Sequence, residues 1–189
     1  MTEAARIVPL DPPFDDALQA RLAKMIPPGA SEPLLLFRVL AKNPALWERM
    51  GSTGGHFLGK ASSLSLRDRE IVIDRVCARC GAEYEWGVHV AVFAEAAGLG
   101  DADVRHLVSV PADPDAWAPN EAALIAMVDA LHETSTVDDA TWAALARHYD
   151  EAQLLELLML AGWYHAISFV CNATRVPLET WQARLPRAL

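Results

Sequence analysis

The sequence predicts an all-α fold of about eight to ten helices, many of them short, in a single domain. Three observations carry this reading. Apolar residues recur at helical spacing in one segment after another. Pro, Gly and capping residues cut the chain between those segments. No two alternating runs are joined by the turn chemistry of a hairpin. The chain has 189 residues, 52% of them apolar and 22% charged. That is enough for one filled core and too apolar for a disordered chain.

Residues 1–33 form an arm and a first helix. Pro9, Pro12 and Pro13 keep the arm extended. Phe14, Leu18, Leu22 and Met25 then share a helical face, and the Pro- and Gly-containing stretch 26–33 ends it. Leu34 to Ala41 is a second helix, stopped near Asn43-Pro44. Ala45 to Lys60 is a third, where Gly51, Gly54 and Gly55 predict a kink or close packing. Ser65 caps a helix from Leu66 to Arg79. Its Ile71, Val72 and Val76 compete for a strand, but the length and the charged start favour a helix. Gly81 separates it from a helix over Glu83–Ala97, ended by Gly98 or Gly100.

Asp101 caps a short helix, Ala102 to Val108, and a Pro-rich loop follows. Pro119 and Asn120 start a helix through His132, with Leu124, Met127, Val128 and Leu131 as its stripe. Thr141 to His148 and Glu151 to Asn172 complete the set, the last capped by Asp150. Its apolar core, Leu154 to Cys171, carries Glu156 and His165, which favours a buried helix over a membrane span. Residues 34–180 make up the helical domain, and 181–189 are a tail. The segment from Val176 onward is expected to dock on a neighbour.

Composition narrows the function. Twenty-five acidic residues face sixteen Lys and Arg, a net charge of -9 with no basic stripe, so nucleic acid is not an expected partner. The N-terminus lacks an apolar leader, and three cysteines are too few and odd in number for a disulfide scaffold. These features predict a cytoplasmic protein with no membrane partner.

The chemistry concentrates in residues 64–99. Glu85 and His89 are four apart on one helix, so their side chains share a face. A carboxylate beside an imidazole raises its pKa and fixes its orientation, which suits acid/base work. Glu70 reaches the same place if its helix folds back as an antiparallel neighbour. The competing reading is a solvated ion pair and an unrelated surface Glu.

Cys77 and Cys80 form a C-x-x-C with three readings: an exposed redox dithiol, half of a metal site with His89, or two core cysteines one turn apart. No second C-x-x-C or H-x-x-x-H exists to complete a metal site, and none is expected. Tyr84, Trp86, Trp163, Tyr164 and His165 are either pocket walls or core, with His165 read as a hydrogen-bonded core histidine. His56 lies in a Gly-rich stretch where backbone can approach a ligand.

Three blocks resemble the core motif of the carboxymuconolactone decarboxylase family, which includes the alkylhydroperoxidase D-like proteins. They are L-S-x-R-x-R-E at 64–70, E-Y-E-W-x-x-H at 83–89 and A-x-x-A-G-L at 94–99. The stretch 162–179 resembles the family's closing helix. The resemblance implies an all-helical fold, a homo-oligomer (a trimer or hexamer, with a dimer as a further option) and a small-molecule substrate without a cofactor.

The peroxidase branch carries C-x-x-C-x-x-x-H with a Glu twelve residues before its first Cys. Here those positions are Ala82, Glu85, His89 and Glu70. Cys77 and Cys80 lie five residues upstream, about 140° and about 7.5 Å away on a continuous helix. The resemblance therefore points to the decarboxylase-like branch, with Glu70, Glu85 and His89 catalytic; Tyr84, Trp86, Tyr164 and His56 are the candidates for the substrate pocket. The reaction it suggests is decarboxylation of 4-carboxymuconolactone or a related lactone. Arg67, Arg69 and Arg75 are the candidate partners for substrate carboxylates. A thiol peroxidase using Cys77 and Cys80, and a non-catalytic oligomeric binding protein, remain the alternatives.

Overall fold

A computed structural model describes residues 4–27 and 30–186. Among these residues it is all-helical: α1 (Asp16–Ala23), α2 (Leu35–Leu40), α3 (Pro44–Leu58), α4 (Leu66–Arg79), α5 (Glu83–Phe93), α6 (Asp101–Val108), α7 (Pro119–Thr134), α8 (Asp139–Leu145) and α9 (Glu151–Thr174), with one 3-10 turn at Pro114–Ala116. Pro28 and Gly29 of the expected break, and the last three residues of the expected tail, lie outside the described residues.

Caps set most of the boundaries. Side chains of Asp15, Asn43, Ser65, Asp138 and Asp150 each accept a backbone N–H in the first turn of the following helix. Asp15 and Asp138 explain why α1 starts later than the apolar spacing predicts and α8 starts earlier. The chain leaves α5 after Phe93, sooner than expected, and turns to Gly98, whose φ of +67° suits glycine. Of the kink or close packing expected at the glycines of the third helix, the structure shows close packing, with Gly54 against the Trp163 ring. α3 runs unbroken from Pro44 to Leu58.

The hub is α4. Every residue from Arg69 to Cys77 is buried, because α5, α6, α7 and α9 pack around it. A helix enclosed on all sides has no polar face, which is why its stripe is hard to read in the sequence. Ile71, Val72, Ile73 and Val76 are fully buried, each side chain stabilising the fold by roughly 1.5–3 kcal/mol. Arg75 sits among them and is neutralised by Asp129 of α7, with N···O distances of 2.8 and 2.6 Å. It also donates to the carbonyls of Leu107 and Ser109.

A second cluster joins α1, α2 and α3 to the outer side of α5 and α9 through Leu22, Leu36, Val39, Trp47, Val88 and Ile167. The tail packs on α5 of its own chain. Gln182 donates to the Glu83 carbonyl at 2.9 Å, and the Ala183 N–H donates to the Gly87 carbonyl at 3.0 Å. By length and composition α9 is apolar enough to cross a membrane. Here one of its faces, including Leu157, Leu160 and Tyr164, closes the core against α4 and α5.

Candidate active site

Glu70 leaves α4 and His89 leaves α5 on facing sides of the α4–α5 pair. His89 Nδ1 lies 2.8 Å from Glu70 Oε2, with both side chains buried. Glu85, one turn before His89, places Oε1 3.6 Å from Nε2. The Tyr164 hydroxyl, from α9, lies 3.1 Å from the same Nε2. Arg69 donates from Nε to the other Glu70 oxygen at 2.9 Å and is anchored by the Phe57 carbonyl. Two carboxylates and two cationic side chains therefore meet in one buried cluster.

Burial alone would lower the His89 pKa. The Glu70 charge and hydrogen bond, followed by those of Glu85, outweigh it and raise the pKa from 6.5 to about 10. At neutral pH His89 is thus an imidazolium, with Nδ1–H donating to Glu70 and Nε2–H donating toward the Tyr164 and Glu85 oxygens. It is a proton donor before it is a base. Burial holds the Tyr164 hydroxyl well above its ordinary pKa, and Glu85 and Glu70 push it further. The hydroxyl stays protonated.

Glu85 is the ionisable side chain common to two mostly apolar cavities, which also share Met25, Leu36, Phe37 and Leu58. One, of about 190 Å³, is walled by Leu36, Trp47, Met50, Gly54, Trp163 and Tyr164. The other, of about 280 Å³, is walled by Lys24, Met25, Leu36, Val92 and Phe93 and reaches His89. Gly51, Gly54 and Gly55 of α3 line the first. Lys24 and the His89 imidazolium are the cations among the residues lining the two.

Other candidates lie elsewhere. Tyr84 is a structural anchor: it donates to Glu179 of the tail at 2.6 Å and accepts the Leu36 N–H at 3.0 Å, so it fixes the start of α2. Trp86 is buried in the main core and lines neither cavity. His56, 47% exposed, turns to Glu156 of α9 with an N···O distance of 3.4 Å. Arg67 is held by Glu121 and Asp103, and Arg75 by Asp129, so of the three arginines only Arg69 is at the cluster.

Cys77 is fully buried, near Ser168, and Cys80 is half-buried. Burial raises the pKa of both thiols, the opposite of what a reactive dithiol needs. The nearest thiol to the cluster is Cys171, 4.0 Å from Glu85 Oε2.

Sequence reasoning missed Asp74. It lies one turn after Glu70 on α4, is buried, and neither oxygen has a hydrogen-bond partner. Burial lifts its pKa well above the carboxylate range; the His89 charge opposes this and the Glu70 charge adds to it. Its i,i+4 spacing from Glu70 was the available signal. Without the burial pattern of α4 it reads as a surface acid.

Comparison with known proteins agrees with this architecture. Residues 44–130 match the model of the carboxymuconolactone decarboxylase family. The match spans α3 to most of α7 and includes Glu70, Glu85 and His89. No curated protein matches the sequence significantly.

Among solved structures, an uncharacterized peroxidase-related protein from Silicibacter sp. TM1040 is similar with a TM-score of 0.80 and 15% identity, covering 98% of this chain and 100% of that one. The alkylhydroperoxidase AhpD core of an uncharacterized peroxidase-related protein from Ralstonia eutropha JMP134 gives a TM-score of 0.77 and 16% identity, covering 94% and 95%. A debrominase, Bmp8, solved with 2,3,4-tribromopyrrole, gives 0.72 and 16%, covering 95% of each chain. At these identities the likeness is one of fold.

Proposed function

We propose that this chain, which belongs to the carboxymuconolactone decarboxylase family and has the alkylhydroperoxidase D-like fold, is a cofactor-free acid/base enzyme acting on a small, largely apolar lactone or other carbonyl compound. One observation carries the reading. The buried His89 is fixed at Nδ1 by Glu70 and faced at Nε2 by Glu85 and Tyr164, beside apolar cavities onto which Glu85 opens.

In a decarboxylation, the electron pair left by departing CO2 moves through a conjugated system to a carbonyl oxygen. The His89 imidazolium and the Tyr164 hydroxyl are donors suited to that developing negative charge. The carbanion equivalent is then protonated at carbon, and Glu85, at the cavity wall, is the carboxyl placed to carry that proton from His89. Glu70 and Arg69 hold the imidazole in register. A double-bond shift or enolisation in the same pocket uses the same groups.

The lining also bears on substrate charge. A dicarboxylate such as 4-carboxymuconolactone calls for cationic partners, and besides the His89 imidazolium, which serves as the proton donor, Lys24 is the cation lining the cavities. A substrate with one carboxylate, or none, fits better. The thiol-peroxidase alternative has less support, because Cys77 is sealed in the core and both thiols are raised in pKa.

A turnover screen tests this. Carboxymuconolactone, simpler unsaturated lactones and β-keto acids would be followed by ultraviolet absorbance, with peroxide consumption measured in parallel. The expected result is turnover of at least one carbonyl substrate that falls about 100-fold or more in His89→Gln. Turnover unaffected by that change, or peroxide consumption that disappears in Cys77→Ser, would overturn the proposal.

A further inference from the structure

Away from His89, three ligand-type side chains converge where the C-terminal ends of α4 and α7 meet α9. Cys80 Sγ lies 3.9 Å from His132 Nδ1, and His132 Nδ1 lies 3.1 Å from His165 Nε2. All three ligand atoms fall within 4.8 Å of one another, and all three residues are half-buried. The sequence suggests His89 as the partner of Cys80, but the fold supplies His132 and His165, 52 and 85 positions downstream.

We propose that Cys80, His132 and His165 form a tridentate site for a single thiophilic divalent d-block cation of the zinc class, with a fourth position open to water or an exogenous ligand. The spacing supports it. A tetrahedral ion with a metal–sulfur bond of about 2.3 Å and metal–nitrogen bonds of about 2.0 Å needs S···N near 3.5 Å and N···N near 3.3 Å. The Cys80–His132 and His132–His165 separations, 3.9 and 3.1 Å, lie within a few tenths of an ångström of these values, and the third pair lies within 4.8 Å.

The second ring nitrogen supports it as well. His165 Nδ1 donates to the Ala161 carbonyl at 3.0 Å, which leaves Nε2 as a lone pair facing His132 and Cys80. A backbone carbonyl that fixes the tautomer in this way is the usual companion of a metal-ligating histidine. One thiolate with two imidazoles selects zinc, cobalt or copper over magnesium or calcium. Coordination releases the Cys80 thiol proton to solvent, and the proton on His132 Nδ1 passes through solvent to Nε2, which frees the Nδ1 lone pair for the ion. Asn172 holds the Cys80 carbonyl at 2.9 Å, and Arg79 is drawn off to Glu133 and Asp129, so the nearest cation is already neutralised.

The test uses the full chain stripped with a chelator and titrated with cobalt(II). One equivalent is expected to give a thiolate-to-cobalt charge-transfer band and the strong visible bands of a tetrahedral site, both removed by zinc. Cys80→Ser removes the charge-transfer band. His132→Gln and His165→Gln each weaken binding about tenfold or more. Zinc raises the melting temperature of the wild type and not of these variants, with circular dichroism of each variant recording its fold. Cys77→Ser and His89→Gln retain the band. The second of these separates this site from the proposed acid/base site, since it removes that chemistry and leaves the metal ligands in place. No charge-transfer band in the wild type, or an unchanged band in Cys80→Ser, overturns the proposal.

Discussion

At the scale of single residues, protonation is the testable quantity. His89 has a folded pKa of about 10 against 6.5 for the free side chain. Its contribution to stability is therefore fully present below about pH 6.5 and is lost as pH rises toward and through 10. Urea unfolding of wild type and His89→Gln across that range should show the difference between them shrinking with rising pH. A difference that grows would place the imidazole neutral in the folded state. Asp74 also has a raised folded pKa, so the same sign applies: folding is penalised as pH rises above its unfolded value near 3.8. Asp74→Asn should hold or raise the melting temperature at neutral pH. A marked loss there would mean the carboxyl has a partner in solution. Glu70→Gln removes the charge that does most to raise the His89 pKa. In that variant the pH at which turnover declines should move down from the alkaline range, and a pH–rate profile reads the shift.

Among elements, α4 and the tail are the informative pair. α4 can be enclosed on every side only because each of its interior charges finds a partner or is held neutral. Arg75 is the clearest case, with Asp129 and two carbonyls. Arg75→Ala strands those acceptors and should cost about 3–5 kcal/mol, measured by denaturant unfolding. The tail lies against α5 at Gly87 because nothing larger fits. A Cβ there would fall well inside contact distance of the Ala183 carbonyl and the Gln182 amide. Gly87→Ala should therefore release residues 182–183, seen as faster amide exchange at Ala183, even though alanine favours an isolated helix by about 1 kcal/mol.

Taken as a whole, the molecule has two cores that share the α5–α9 pair. The inner one centres on α4 and the outer one on α1 to α3. The cavities lie on the outer side, where α1 to α3 cover α5 and α9, and Glu85 faces both. This arrangement explains which of the aromatics named from the sequence reach His89 and which do not. Tyr164 comes from α9, on the shared boundary, and reaches His89. Trp86 points into the inner core. Tyr84 points to the tail and α2. Nothing in their local spacing separates the three, because the deciding factor is which neighbour covers each face of α5.

The sequence by itself determined the helical class, most helix boundaries and the pairing of Glu85 with His89. Caps, prolines and an i,i+4 spacing are local, and local geometry follows from short-range sterics and hydrogen bonding. It determined the placement of His89 relative to Glu70 only through resemblance, since two helices must pack before those side chains meet. Tertiary structure alone decided the rest. It neutralised Arg75 and left Asp74 without a partner. It turned His56 away to Glu156 and brought Cys80 to His132 and His165 instead of His89. Each of these depends on contacts between residues far apart in the chain, and on burial that converts an ordinary charge into one that must be paired, protonated or bound.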